Sequence, residues 1–391
     1  MIRRVVFTAV LLAVFGVLAS PAGAVVIPAV SQLPDGDTPP VIHGAELQNP
    51  GSHNELLEAD LVVDASDNLG VDRYEYRWIM ESFGSIATGI ETIELDDPTV
   101  SYASILPETA YVLEVRAIDV HGWASDWHVA WQGTTPSAPN VIVAGDSVAS
   151  GYSRQWFTQD SVCRDTEYSY GATVRDRIAT RLPAAWNPTY VNIAWPGAGV
   201  GDVLNGGSDS CSTSYESQVN QIDRLADPST WNVVVMTAGI NSTNWVDVIT
   251  ELTKDTAFSF TRSGDKQACQ RAVATDWDLN ERRGFITDVT EDITHEISSR
   301  TNASLYWTSY YQLAGTRFAP LWSPVGPECE DEMNLALGEL HSAIRAGLTS
   351  DVSWVDLGSR SVTTQQWAGW PHPNPEGHQA IGTAVADAIT G

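Results

Sequence analysis

Apolar and polar positions first alternate along this chain in short runs. Residues 60–65 and 74–78, and then nine residues at 111–119, place successive side chains on opposite faces, with turn residues between the runs. This pattern predicts a small antiparallel β-sandwich over residues 40–135. After Pro136-Ser137-Ala138-Pro139 the rhythm changes. Apolar runs at 141–143, 190–193, 233–236, 305–307 and 352–355 alternate with stretches of near-3.6 spacing at 170–182, 285–300 and 332–348. Strands alternating with helices predict an α/β domain over 140–391, a parallel sheet between helical layers. Residues 25–39, rich in proline and small side chains, read as a linker. Residues 245–284 carry no strong period and read as a lid or side wall over a site, or as a surface insertion. A helix is also expected over 380–389. No internal repeat or low-complexity tract is visible.

The N-terminus has a separate pattern. Arg3 and Arg4 precede an almost unbroken apolar run to Leu18, and Ala22-Gly23-Ala24 supplies small residues for cleavage. Residues 1–24 therefore read as a signal peptide and the mature chain as a secreted, extracellular protein. No later run is long and apolar enough to span a bilayer. The formal charge over the 391 residues is −28, and loss of the leader takes it to about −30. Such a surface disfavours nucleic acid and anionic membranes. It names no substrate. The four cysteines, Cys163, Cys211, Cys269 and Cys329, form no Cys-x-x-Cys pair. In an exported chain they suggest two disulfides rather than a metal site, and composition alone leaves three pairings open.

Candidate chemistry collects where apolar runs end. Gly145-Asp146-Ser147-Val148-Ala149-Ser150-Gly151 follows the first run of the second region, so Ser147 is expected at a sheet rim. Gly197 follows the second run, Asn241 the third and His372 the last, and reactive groups in such sheets gather at strand carboxyl ends. Each segment alone also has a bland reading: Gly197 as a turn, Asn241-Ser242-Thr243 as a turn or glycosylation sequon, His372 as a surface loop residue. His378, at the start of the last helix, reads as structural. A serine hydroxyl becomes a nucleophile when a base takes its proton, and an imidazole suits that task near neutral pH.

In this order the segments resemble the blocks of the GDSL, or SGNH, hydrolase family. Gly145-Asp146-Ser147 is similar to its first block, Asn192 to Ala198 to its second, Thr237-Ala238-Gly239-Ile240-Asn241 to its third, and His372-Pro373-Asn374-Pro375-Glu376-Gly377-His378 to its last. The resemblance implies a three-layer α/β/α fold and a serine esterase or lipase. It implies Ser147 as nucleophile, His372 as base, and an oxyanion hole from the backbone N–H groups of Ser147 and Gly197 and the amide of Asn241. No metal or cofactor is implied. The family usually carries Asp three residues before the histidine, but here Gly369 stands there. A main-chain carbonyl at Gly369 is then the expected partner of His372, with Asp356 as rival. Ser242 also stands where the family often has Asp. The segment around Cys163 looks like secreted, disulfide-bearing members, which implies the pairs Cys163–Cys211 and Cys269–Cys329.

The front region carries a second resemblance. Leu106-Pro107-Glu108-Thr109-Ala110-Tyr111, the strand after it and Trp78 look like the tyrosine corner, penultimate strand and core tryptophan of a fibronectin type III module. Residues 140–391 are expected to fold and act without it, leaving the module spacing or surface-adhesion roles. The expected partner is an ester: a lipid, a plant polymer ester or an acetylated glycan. A rival reading is a catalytically weak or inactive hydrolase fold that binds surfaces or polysaccharides, favoured by the missing Asp at 369. The sequence leaves acyl length, alcohol and oligomeric state open.

Overall fold

The computed structural model describes residues 36–48, 57–82, 85–96, 98–154, 161–162, 167–208, 214–245, 279–312, 317–318, 323–324, 327–360, 362 and 372–390. The chain divides into two compact units, Met1–Thr38 and Pro39–Gly391, and every element below belongs to the second. The expected leader, Cys163, Cys211 and Cys269, and residue Gly369 lie outside the described residues, as does the side chain of Cys329. Among the described residues no helix is long and apolar enough to cross a membrane.

The alternating runs form β-strands: β1 (Val41–Leu47), β2 (Glu58–Ser66), β3 (Val71–Met80), β4 (Ser85–Ile86), β5 (Glu91–Glu94), β6 (Thr99–Ser101), β7 (Ala110–Asp119) and β8 (His128–Thr134). They pair in two antiparallel sheets, ordered β1-β2-β6 and β4-β3-β7-β8, with β5 added to β3. Period-2 alternation turns Tyr76, Trp78, Leu113 and Val115 of one sheet toward Leu47, Leu61 and Val100 of the other, and all of these are buried in one core. Charged outward residues of β3 and β7 pair across strands, Arg116 with Glu75 and Arg77 with Glu114, each at 2.6 Å. At the corner before β7, the Leu106 N–H donates to the Tyr111 hydroxyl at 3.3 Å.

One member of this core comes from far along the chain. Trp186, in the 3-10 turn Ala184–Trp186, is fully buried among the front residues. Its indole N–H donates to the Ile105 carbonyl at 2.9 Å, and its ring lies 6.2 Å from that of Tyr102. The sequence pattern gave no sign that this tryptophan crosses the Pro136–Pro139 boundary.

The second region holds β9 (Asn140–Gly145), β10 (Thr189–Asn192), β11 (Asn232–Thr237), β12 (Ser304–Thr308) and β13 (Ser353–Val355). They form one parallel sheet in the order β10-β9-β11-β12-β13. The chain leaves β9 for one side and returns to the other, so β9 is the switch point where a crevice opens at the carboxyl ends. Helices α1 (Ser147–Ser150), α2 (Tyr170–Ala179), α3 (Val200–Asn205), α4 (Gln218–Leu225), α5 (Leu279–Arg300), α6 (Pro327–Ala346) and α7 (Pro375–Ile389) complete the region. Helices α2 and α7 pack together, as do α3, α4, α5 and α6. Every side chain of β11 is buried, as expected for a central strand covered on both faces. The α/β expectation therefore matches the sheet and helices observed. The last helix begins five residues earlier than its apolar spacing suggested, because Asn374 caps it and Pro375 occupies its first turn.

Candidate active site

The nucleophile turn is built around Gly145, which has φ +121°. A Cβ there would lie 2.0 Å from the Thr237 carbonyl oxygen, so no other residue lets β9 pass β11 this closely. The buried side chain of Gln218 clamps the same peptide, its amide donating to Gly145 O at 2.9 Å and its carbonyl accepting from Gly145 N at 2.7 Å. Asp146 then caps α1, its Oδ1 accepting from Val148 N at 2.9 Å. Ser147 follows at the first position of α1, nine-tenths buried. Gly151 ends the helix in the left-handed region.

His372 reaches this turn from the other side. Ser147 Oγ and His372 Nε2 lie 2.9 Å apart, within hydrogen-bond distance. The histidine lies past β13 in sequence, but β13 is at the far edge of the sheet from β10. What places it is α7. Asn374 Oδ1 accepts from Gly377 N at 2.9 Å and fixes the start of the helix. Gly382 lets α7 close onto α2, since a Cβ there would come within 2.5 Å of Tyr170 O and Thr173. Burial pushes the His372 pKa down to about 4, so the ring is neutral and able to accept a proton above that pH. The Tyr152 ring meets the imidazole edge to face, with centroids 4.7 Å apart.

The remaining expected residues follow β10 and β11, the two strands that flank β9. Gly197 is exposed after β10 with φ +86°. Asn192 holds the loop that carries it: its Nδ2 donates to Ala149 O and its Oδ1 accepts from Ala194 N, each at 3.0 Å. Asn241 is half-buried after β11, and its Nδ2 donates one proton to Ala198 O at 3.2 Å. Among the described residues the second proton of that amide has no hydrogen-bond partner. Ser242, where the resemblance led one to look for Asp, accepts from Val200 N at 2.8 Å and so ties the Asn241 turn to α3.

Asp356 has a different occupation. It is exposed, and its Oδ1 accepts from Gly358 N at 3.0 Å and Ser359 N at 3.2 Å. Among the described residues no hydrogen bond joins it to His372. His378 is buried, its two ring nitrogens without hydrogen-bond partners among the described residues; burial, and then nearby His372, push its pKa down to about 3. That fits the structural role expected of it and leaves it neutral.

Residues that the sequence reading did not single out complete the setting. Asp146 is fully buried, which raises its pKa to about 7 against the pull of its hydrogen bonds. Its Oδ2 accepts from the Tyr310 hydroxyl at 2.5 Å. Tyr310 stands two residues past β12, at a fourth strand end, and that position was the available signal. The arrangement pairs an activatable hydroxyl with a neutral imidazole.

A family model described as GDSL-like lipase/acylhydrolase matches residues 141–385. Solved structures with similar chains include an alpha/beta hydrolase enzyme from the metagenome of Lake Arreo, Spain, at 16% identity, covering 65% of this chain and 96% of that one with a TM-score of 0.35. A carbohydrate acetylesterase from Sinorhizobium meliloti matches at 10% identity over 64% and 98% of the two chains, with a TM-score of 0.35. The native M. smegmatis aryl esterase matches at 10% identity over 65% and 99%, with a TM-score of 0.36. No curated protein sequence matches the chain.

Proposed function

The chain belongs to the GDSL-like lipase/acylhydrolase family, and from that premise we propose that it hydrolyses carboxylic esters through an acyl-enzyme on Ser147. The 2.9 Å approach of His372 Nε2 to Ser147 Oγ carries this reading. As Oγ attacks the acyl carbon, Nε2 takes the hydroxyl proton. The carbonyl oxygen becomes an anion and meets the N–H groups of Ser147 and Gly197 and the free amide proton of Asn241. Loss of one such donor typically costs roughly 100- to 1,000-fold in rate. The tetrahedral adduct then breaks its bond to the alcohol oxygen, which takes the proton from Nε2. A water gives its proton to Nε2 and attacks the acyl carbon, and Ser147 leaves with that proton as the carboxylic acid forms.

The Gly369 carbonyl is the proposed acceptor for the His372 Nδ1–H. The substrate is an ester of a lipid, a plant polymer or an acetylated glycan. The chain is exported by its leader, which N-terminal sequencing of the secreted protein tests: a mature start at residue 25 is expected, and an intact Met1 on protein kept inside the cell contradicts it. Disulfides Cys163–Cys211 and Cys269–Cys329 belong to this reading, and a Cys163–Cys269 peptide from a non-reducing digest rules them out. A fibronectin type III-like role for residues 40–135, as spacer or adhesion module, is supported by the buried Trp78 and the Tyr111 corner. Binding to insoluble polymer with and without that segment tests it.

The direct experiment is turnover of short-chain chromogenic esters. Ser147→Ala should lose at least about a thousandfold in kcat, consistent with loss of a nucleophile that acts as a unit with its base. Wild-type protein inert toward lipid, acetylated-glycan and aromatic esters alike would point instead to a binding protein.

A further inference from the structure

The reaction proposed above uses loops from three strand ends, and one phenol joins two of them. The Tyr310 hydroxyl donates to Asp146 Oδ2 at 2.5 Å and accepts from the backbone N–H of Ile240 at 2.9 Å. Asp146 directly precedes the nucleophile, and Ile240 directly precedes the oxyanion candidate Asn241. All three groups are buried, with Asp146 fully so. No water is needed to close the bridge, since the phenol uses its one proton and one lone pair on these two partners.

Tyr310 is itself held. Its backbone N–H donates to His341 Nε2 at 2.9 Å, and the two rings stack at 6.1 Å between centroids. Burial pushes the His341 pKa down to about 4, so this nitrogen is a neutral acceptor at ordinary pH, and the ring proton sits on Nδ1. The bridge is therefore held from behind by His341 in a packed core, the kind of support that keeps a site to within a fraction of an ångström.

We infer that Tyr310 is a positioning residue for ester hydrolysis, setting the Ser147 turn and the Asn241 turn at their working separation through the Asp146–Tyr310–Ile240 bridge. Without the hydroxyl, the Ile240 N–H and one Asp146 oxygen lose their partner in a buried site. The Ile240 N–H then turns toward another acceptor and the Asp146 oxygen toward another donor, and each turn shifts. Displacement of an oxyanion donor by a fraction of an ångström affects the transition state more than the bound ester.

This inference rests on Ser147 being the nucleophile, so wild-type turnover and phosphonate labelling are measured first. Failure of those overturns the parent reading and leaves Tyr310 out of the account. With wild type active, Tyr310→Phe should lower kcat tenfold to a hundredfold while KM stays within about threefold, a barrier change of about 1.4–2.7 kcal/mol. The rate of phosphonate labelling should fall in parallel. Tyr74→Phe, the same deletion at a buried tyrosine of the front core, should change kcat less than twofold.

The pH profile gives a readout that packing alone does not move. The Tyr310 hydrogen bond lowers the Asp146 pKa against its burial, so losing the hydroxyl raises it from about 7. Among the described residues the other titratable side chains that act on Asp146 are Tyr170 and Tyr311, both neutral well above that pH. An ionised Asp146 accepts the phenol proton more strongly than a neutral one and tightens the bridge, so the step of kcat near that pH should be lost in both Tyr310→Phe and Asp146→Asn. If Tyr310→Phe does not fold, Asp146→Asn carries the decision, with an intact pH step there overturning the inference. Unchanged kcat and unchanged pH profile in folded Tyr310→Phe overturn it as well.

Discussion

Replacing Trp186 by alanine should damage the front β-core although the residue belongs, by sequence, to the hydrolase region. The side chain is fully buried there, against Tyr102 and under Ile105. A buried tryptophan removes roughly 150–250 Å² from water, worth about 4–6 kcal/mol at about 25 cal/mol per Å². Measured losses for such truncations in cores are about 3–5 kcal/mol, since the site partly collapses. The Ile105 carbonyl also loses its donor, a loss of about 1 kcal/mol already counted in that total. We expect about 3–5 kcal/mol, at least about a fifth of the roughly 5–15 kcal/mol that holds a typical domain together. Guanidinium unfolding followed by circular dichroism, with calorimetry for separate transitions, measures it. Turnover of a small soluble ester should stay within about twofold at low temperature, since Trp186 lies in the other core. A stability change under about 1 kcal/mol would refute the argument that Trp186 fastens the two cores. The same reasoning revises the expectation that residues 140–391 behave well alone: that fragment exposes Trp186, and it should be less stable than the full chain even where it remains active.

Three further outcomes follow from the site. Activity should rise in two steps with pH, near pH 4 as His372 loses its proton and near pH 7 as Asp146 ionises; one step near pH 6.5 that survives Asp146→Asn contradicts this assignment. Buried His378 has a folded pKa of about 3 against about 6.5 when unfolded, so the unfolded chain binds more protons in that window and stability falls as pH drops through it. His378→Leu should flatten this acid loss by up to roughly 4–5 kcal/mol at pH 3, read from denaturant midpoints, and an unaltered slope counts against it. Asp356→Asn should change kcat less than tenfold, because its carboxylate is engaged with Gly358 and Ser359; a thousandfold loss with the fold intact makes it the third member of the triad.

How legible this was varies by residue. The sheet was legible because buried parallel strands are continuous apolar runs, and the runs before Gly145, Gly197 and Asn241 became adjacent strands. Tyr111 and Trp78 were legible because period-2 alternation fixes which face they occupy. His372 was expected at the end of the last strand, whereas helix α7, packed through Gly382 on α2, presents it. A glycine contact between two helices leaves no mark in the apolar spacing. Trp186 and Tyr310 were missed for a related reason. Each acts through a partner 81 or 164 residues away, and local periodicity holds no information about such pairs. Asp146 lay in plain view within its motif, but its burial and its phenol partner exist only in the folded chain.

The central claim is that Ser147 is the nucleophile and His372 its base. A fluorophosphonate probe, followed by digestion and mass spectrometry, tests both at once. The adduct should form on Ser147 alone in wild-type protein, and His372→Ala should slow its formation by a hundredfold or more with the fold unchanged. An adduct on another serine, or labelling of Ser147 at an undiminished rate without His372, would contradict the account.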